Sequence, residues 1–291
     1  MRSAAKRART VCDHAHQQRR VYLDGSVLNL VRANQQRLAW SSKPDYTMMK
    51  TILLVLLCCS RCFAGMLMQS AIPGCVGWWT MNEGTGSNLV NYGSLGAAYN
   101  GLAINNPTWT NGVVNNGLII KSSPVQYVDC GGPIGNGFTG ISFSLWAYPT
   151  NVSSSQTVIG EYASSNVMCF DCDIQNLGVS QAVFNIKGVT LARQDLAQIG
   201  TNELNNWTFI AGTWDGVTQI LYVNGASNTA ASFIDSALGT ATAHLTIGAY
   251  APGANQNFRG RLDDVRIYSR ALTPSEIATI YGPNGSGCPH E

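Results

Sequence analysis

The stretch "NWTFIAGTWDGVTQILYVNG" (residues 206–225) decides how the chain folds. Two apolar runs, 206–215 and 218–225, meet at Asp215-Gly216. Asp-Gly between runs rich in aromatic and β-branched residues is a strong hairpin signal, because glycine accepts the positive φ that a tight turn requires. The rest of the chain repeats this pattern. "ISFSLWAY" (141–148) alternates, with Ile141, Phe143, Leu145 and Ala147 on one face and Ser142, Ser144, Trp146 and Tyr148 on the other. A period of two predicts a half-buried strand. Further short runs follow at 75–81, 117–121, 125–129, 157–162, 167–174, 181–186, 244–250 and 261–269, broken by Gly, Asn and Pro. Strands recurring with turn chemistry between them predict an all-β sandwich or barrel.

One helix stands out, at 274–281. Thr273 is its N-cap, Pro274 fills the first helical position, and Glu276 closes a capping box. Gly282 and Pro283 end it. The 225 or so residues of 66–291 then form one domain, large enough to bury roughly 70% of its unfolded surface.

Charged residues make up 12% of the chain, about half the usual ~25%. Residues 1–47 hold nine Lys/Arg and three acids, so the remaining nine Lys/Arg of 48–291 face thirteen acids. The folded part is acidic, which excludes the concentrated positive charge of a nucleic-acid reader. "MMKTILLVLLCCSRCFAG" (48–65) has a basic lead, a short apolar core and small residues up to Ala64. That is the pattern of a secretory signal peptide, with an apolar core well short of the ~20 residues of a membrane span. Residues 48–64 are therefore expected to direct export. Residues 1–47 are expected to be a mis-assigned start or a disordered basic tail. The exported protein would be extracellular or at the cell surface, with no stable membrane span after cleavage.

Cleavage leaves Cys75, Cys130, Cys169, Cys172 and Cys288. In an oxidising compartment some should pair. Cys75 and Cys288 bracket the folded region, and chain termini often lie close together; they are the expected disulfide. The "CFDC" at 169–172 lacks both a βαβ context and a second cysteine pair, so it is read as strand cysteines, one of them bonded to Cys130.

Against this background, "WTFIAGTWDGVTQILYVNG" followed by "GRLDDVRIYSRALTPSEIATIY" (260–281) resembles the LamG-like jelly-roll family of concanavalin A-like sandwiches. "GWWTMNEGTGSNLVNYGS" and "FSLWAYP" resemble the same family's first and central strands. The resemblance covers roughly 76–282. It implies two antiparallel sheets packed as a jelly roll, with the first and last strands adjacent, in line with a Cys75–Cys288 bond. It also implies an extracellular module that binds carbohydrate or mediates adhesion, and in many members a structural Ca2+. The chain departs from the family where "NYGSLG" replaces an Asp-Ser-Ser-Gly-Asn run.

Asp263 and Asp264 sit side by side in a chain poor in charge. Strand alternation puts Asp263 on the face of Val265 and Ile267, and Asp264 on that of Arg266 and Tyr268. An inward carboxylate must be paired, hydrogen-bonded or on a metal. The resemblance makes Glu83, Asn91, Asp263 and Asp264 the candidate Ca2+ ligands. The competing expectation is that Asp263 caps backbone amides while Asp264 pairs with Arg266 or Arg261. For catalysis, a retaining glycoside hydrolase needs two carboxyls ~5 Å apart. Asp171 and Asp173, two apart on one strand face, are the candidate pair, although the family's hydrolase pattern Glu-x-Asp-x-x-Glu is not met. Binding needs only aromatic platforms and polar edges. Trp79, Tyr162, Tyr250 and Asn255 are the candidate ligand contacts, and Trp207 is expected to pack inside. The expected function is non-catalytic binding of an extracellular glycan. A glycoside hydrolase and a surface-assembly module that binds protein are the alternatives.

Overall fold

A computed structural model describes residues 72–152, 154–176, 180–199, 204–250 and 256–282. Residues 48–64, the expected signal peptide, residues 1–47 before them, Asn255 and Cys288 lie outside the described residues.

Among the described residues sixteen strands and then an α-helix follow in order: β1 (Cys75–Trp79), β2 (Asn88–Leu89), β3 (Gly101–Ile104), β4 (Thr108–Asn111), β5 (Asn116–Ile120), β6 (Tyr127–Asp129), β7 (Ile141–Pro149), β8 (Gln156–Ser164), β9 (Val167–Asn176), β10 (Ser180–Ile186), β11 (Gln194–Ile199), β12 (Thr208–Trp214), β13 (Thr218–Val223), β14 (Ala226–Ser232), β15 (Thr246–Ile247), β16 (Gly260–Tyr268) and α1 (Pro274–Tyr281). They build two antiparallel sheets, a jelly-roll sandwich. Sheet one runs β14-β13-β12-β7-β16-β5-β4, with β1 also paired to β16. Sheet two runs β11-β10-β9-β8-β15-β6-β3-β2. The opening and closing strands are adjacent, as expected, with Trp78 opposite Arg266 and Trp79 opposite Val265.

The quoted hairpin forms as β12–β13, with Trp214 opposite Gln219. Asp215 caps the corner by accepting from the Val217 and Thr218 amides, and Gly216 takes φ 92°. The strand runs near 88, 101–104, 108–111, 194–199 and 226–232 went unread in the sequence; most are short or lie at sheet edges, where burial writes no clear pattern. The run at 244–250 shrinks to the two residues of β15.

The core between the sheets takes the alternating residues predicted for β7, namely Ile141, Phe143, Leu145 and Ala147. The other face of β7 is buried too, which corrects the half-buried reading: α1 covers it, and Ile277 and Ile280 join Trp146, Phe209 and Tyr268 in a second cluster. Trp207 is half-buried on that outer cluster, not between the sheets, and stands edge-on to Tyr148. Helix α1 has the predicted Thr273/Glu276 capping box, and Arg270 grips Glu276 at 2.6 Å. Among the described residues no cysteine pair lies at disulfide distance, and Cys130, Cys169 and Cys172 are buried separately. The expected bond to Cys130 is therefore not formed.

Candidate ligand-binding site

In β9 the core receives Phe170, Cys172 and Ile174, so Asp171 and Asp173 stand on the outer face of sheet two. Register places Asn185 of β10 opposite Asp171, and Thr157 of β8 opposite Asp173. Thr157 Oγ1 donates to Asp173 Oδ1 at 2.8 Å, and the Asn185 amide donates to Asp171 Oδ1. Tyr250 closes over the pair, its hydroxyl 3.3 Å from Asp171 Oδ2 and 3.4 Å from Asp173 Oδ2. Its ring stacks on that of Tyr162, centroids 4.4 Å apart. Arg193 lies 5.5 Å from the Tyr162 ring centroid and holds Asp195 at 2.6 Å, while its Nη1 is 4.0 Å from Asp171 Oδ2.

The two acids are sealed, 0% and 1% exposed. Burial, then the charge of Asp173, pushes the Asp171 carboxyl well above the usual carboxylate range; burial raises Asp173. Burial and then the Asp171 charge raise the Tyr250 phenol. The rim of Tyr162, Arg193, Ser155 and Gln256 is only half-buried. The arrangement is an aromatic stack with hydrogen-bonding groups at its edge and a dry polar base beneath.

Four residues singled out separately from the sequence, Asp171, Asp173, Tyr162 and Tyr250, thus converge. Asn185, Thr157 and Arg193 were missed. Asn185 could have been found, because in "QAVFNI" it alternates away from Ala182, Phe184 and Ile186. Arg193 precedes β11 in a loop and carries no such signal. Trp79 requires a correction: it is fully buried in the core, its indole donating to the Tyr99 carbonyl at 3.0 Å, so it is no ligand platform. Trp78 instead borders a separate cleft of about 340 Å³ with Tyr92.

A profile of the concanavalin A-like lectin/glucanases superfamily matches residues 124–278, more than half of the chain. The chain belongs to the concanavalin A-like lectin/glucanase superfamily. Among solved structures, this superfamily member is similar to domain 4 of a GH43 extracellular arabinanase from Geobacillus stearothermophilus, solved with arabinotriose. That match has 16% identity and TM-score 0.53, and covers 70% of this chain and 96% of that one. The binding domain of botulinum neurotoxin serotype G matches at 11% identity and TM-score 0.54, with 71% and 50% coverage. The binding domain of Paraclostridial Mosquitocidal Protein 1 matches at 14% and 0.54, with 72% and 52%. The chain spans about half the length of these toxin binding domains. At such identities the likeness is one of fold. Comparison with curated proteins returns no match.

The superfamily resemblance placed Ca2+ among Glu83, Asn91, Asp263 and Asp264. Most of their oxygens are engaged separately, Glu83 Oε2 and Asp263 Oδ1 being buried without a hydrogen-bond partner, and among the described residues no three His, Cys, Asp or Glu gather as a metal centre. Asp263 Oδ2 accepts from the Val113 and Val114 amides at 2.7 and 2.9 Å. Asp264 is held bidentately by Arg266, 2.8 Å to Oδ2, and accepts from the Trp78 indole at 2.7 Å. That guanidinium supplies the positive charge beside Asp264. Asn91 Oδ1 accepts from the Trp78 and Gly93 amides, and Glu83 Oε1 from Val90. The early loop does meet the hairpin that Asp263 caps, through Asn82 Oδ1 and the Asn116 amide at 3.0 Å. The competing expectation, an amide cap and an Arg266 pair, describes the couplet.

The face assignment of Asp263 is also corrected. The register shifts between Asp263 and Arg266, and Asp264 takes φ 47°. That bulge inserts one residue, so Leu262, Val265 and Ile267 reach the core while Asp263 faces the outer side.

Proposed function

We propose that this chain is a secreted, non-catalytic glycan-binding module whose binding surface is the rim of Tyr162, Arg193, Ser155 and Gln256 on the outer face of sheet two. The observation that carries this reading is the Tyr162–Tyr250 stack beside hydrogen-bonding edges. Sugar rings pack their C–H faces on aromatic planes while amides and charged groups grip hydroxyls. Superfamily membership and the arabinotriose held by the arabinanase domain support carbohydrate as the ligand class. Export rests on the 48–65 pattern, and among the described residues no helix is long and apolar enough to cross a membrane.

The hydrolase alternative draws on Asp171 and Asp173, whose Oδ2 atoms both approach Tyr250. Hydrolysis needs carboxyls flanking a bound glycosidic bond. Here both acids lie under Tyr250 with essentially no exposed surface. Burial of both under one tyrosine favours a binder.

Affinity electrophoresis against a panel of neutral and acidic polysaccharides tests the proposal. Wild type is expected to be retarded by at least one, Tyr162→Ala to lose most of the retardation, and Tyr92→Ala in the separate cleft to keep it. Failure of every glycan, or equal retardation of wild type and Tyr162→Ala, overturns the assigned surface. Release of reducing sugar would turn the reading to the hydrolase.

A further inference from the structure

Among the described residues eight large apolar side chains stand exposed, and four of them gather on three neighbouring loops. Val189 and Leu191 belong to the 187–193 loop between β10 and β11, Val217 to the β12–β13 turn, and Ile234 to the segment after β14. They are 55, 39, 50 and 65% exposed. One buried carboxylate ties the three loops together. Asp235 Oδ2 accepts from the Thr190 and Leu191 amides at 2.9 and 2.8 Å, and Oδ1 from the Ser236 amide at 2.7 Å. Gly188 leaves the space this needs, since a Cβ there would collide with the same carboxylate. Backbone bonds close the rest, from Asp235 N–H to the Gly216 carbonyl and from Val189 N–H to that of Ala237, both at 3.1 Å. Phe233 and Asp235, on either side of Ile234, are buried, so the fold itself holds Ile234 outward.

From this arrangement we infer that Val189, Leu191, Val217 and Ile234 dock the protein on the surface of a zwitterionic lipid bilayer. Exposed aliphatic side chains scattered singly are ordinary, whereas four held together on braced loops mark an interaction surface. Area argues against a second copy as the partner. Four side chains at about half exposure present a few hundred Å², short of the ~800 Å² per partner that a stable interface buries. Lipid demands no such area, because apolar tips sink one by one into the boundary between headgroups and acyl chains, by about 5–10 Å. Backbone carried there finds no water, so its amides need partners beforehand. The amides of Val189, Thr190, Leu191, Val217, Asp235 and Ser236 have them. Charge selects the headgroup. The exposed Asp215 carboxylate and the half-buried Lys187 ammonium, which donates to the Gly188 carbonyl at 3.0 Å, offset each other. Arg193 at the loop's end is held by Asp195. The tips thus carry no basic cluster of the kind that anionic lipid attracts. This inference does not rest on the glycan reading.

Flotation of the exported chain with phosphatidylcholine vesicles is the test. The bound fraction should rise with lipid and saturate by about 1 mM, as for a single acyl chain. It should persist at about 0.5 M salt, where charge attraction is screened, and phosphatidylserine should not strengthen it. Val189→Ser with Ile234→Ser should weaken binding roughly tenfold or more, the scale of removing buried aliphatic side chains, with the melting temperature unchanged. Leu102→Ser, an exposed position on β3, should bind as wild type does. Val217→Trp should bind more tightly, because Trp favours the membrane interface. Absence of wild-type protein from the vesicle fraction at about 1 mM lipid overturns the inference. So does binding that salt abolishes, that the double variant keeps, or that Leu102→Ser loses to the same extent. A dimer in sedimentation that Ile234→Ser dissociates also overturns it and assigns the patch to a second copy. If the double variant does not fold, the Val217→Trp comparison decides. The vesicles carry no saccharide, so either result leaves the Tyr162 surface to its own test.

Discussion

Asp264 is the residue on which the closing strand turns. Its φ of 47° is a left-handed conformation that Asp and Asn adopt more readily than other non-glycine residues. Its carboxylate meets Arg266 and the Trp78 indole in a region only 7% exposed for Asp264 and 1% for Arg266. Arg266 also lies over the Trp78 ring, 4.6 Å from its centroid. Breaking a buried ion pair by removing one partner costs about 3–5 kcal/mol, because the remaining charge stays buried. Asp264→Asn keeps the backbone conformation and removes the charge, so urea denaturation should show a loss in that range. Asp264→Asn combined with Arg266→Met should recover much of it, since the stranded guanidinium is gone. A single-variant loss below about 0.5 kcal/mol would mean the pair is solvated and the bulge stands without it.

At the scale of the element, α1 shows what local chemistry writes into a sequence. Its start, cap and end were all legible, because a capping box satisfies its amides within four residues. Strand β16 shows the opposite. Alternation placed Asp263 on the inner face, and the bulge at Asp264 moved it outward. A bulge is chosen by what both flanking strands need, here β7 and the 112–117 hairpin, and a single run of residues does not carry that information. The candidate site divides the same way. Asp171 and Asp173 were visible as an i, i+2 pair, whereas their union with Tyr250, distant in sequence, is a product of the fold. Helix α1 also permits two predictions. Thr273→Ala should cost about 1 kcal/mol and loosen the lid over Trp146. The Glu276 carboxyl is held down at about 2, first by its hydrogen bonds with Arg270. A carboxylate lowered on folding contributes stability above its unfolded value, and that contribution fades as pH falls through the folded one. The melting temperature should therefore fall between pH 5 and about pH 2 by less in Glu276→Gln than in wild type.

For the whole molecule, most carboxylates buried in the sandwich shift the other way. Glu161 of β8 ties sheet two to the 131–137 segment, its carboxylate accepting from the Ile134 and Gly135 amides at 2.5 and 3.1 Å. Burial outweighs those bonds and lifts it to about 7. Asp263 is pushed up to about 8, by burial first and the Asp264 charge second. A carboxyl whose value is raised on folding binds more protons in the native than in the unfolded state. Stability must then decline as pH rises from the unfolded values, 4.5 for Glu161 and 3.8 for Asp263, through about 7 and about 8. The fold should therefore be most stable on the acid side of neutrality, between the Glu276 decline below and the Glu161 and Asp263 decline above. Denaturant midpoints from pH 5 to pH 9 should fall steadily in wild type, and the slope should flatten in Glu161→Gln with Asp263→Asn, each of which keeps an oxygen for the backbone amides. A wild-type midpoint that rises over this range would mean that the amide bonds to Glu161 and Asp263 outweigh burial. Both carboxylates would then be charged anchors that the sandwich stabilises.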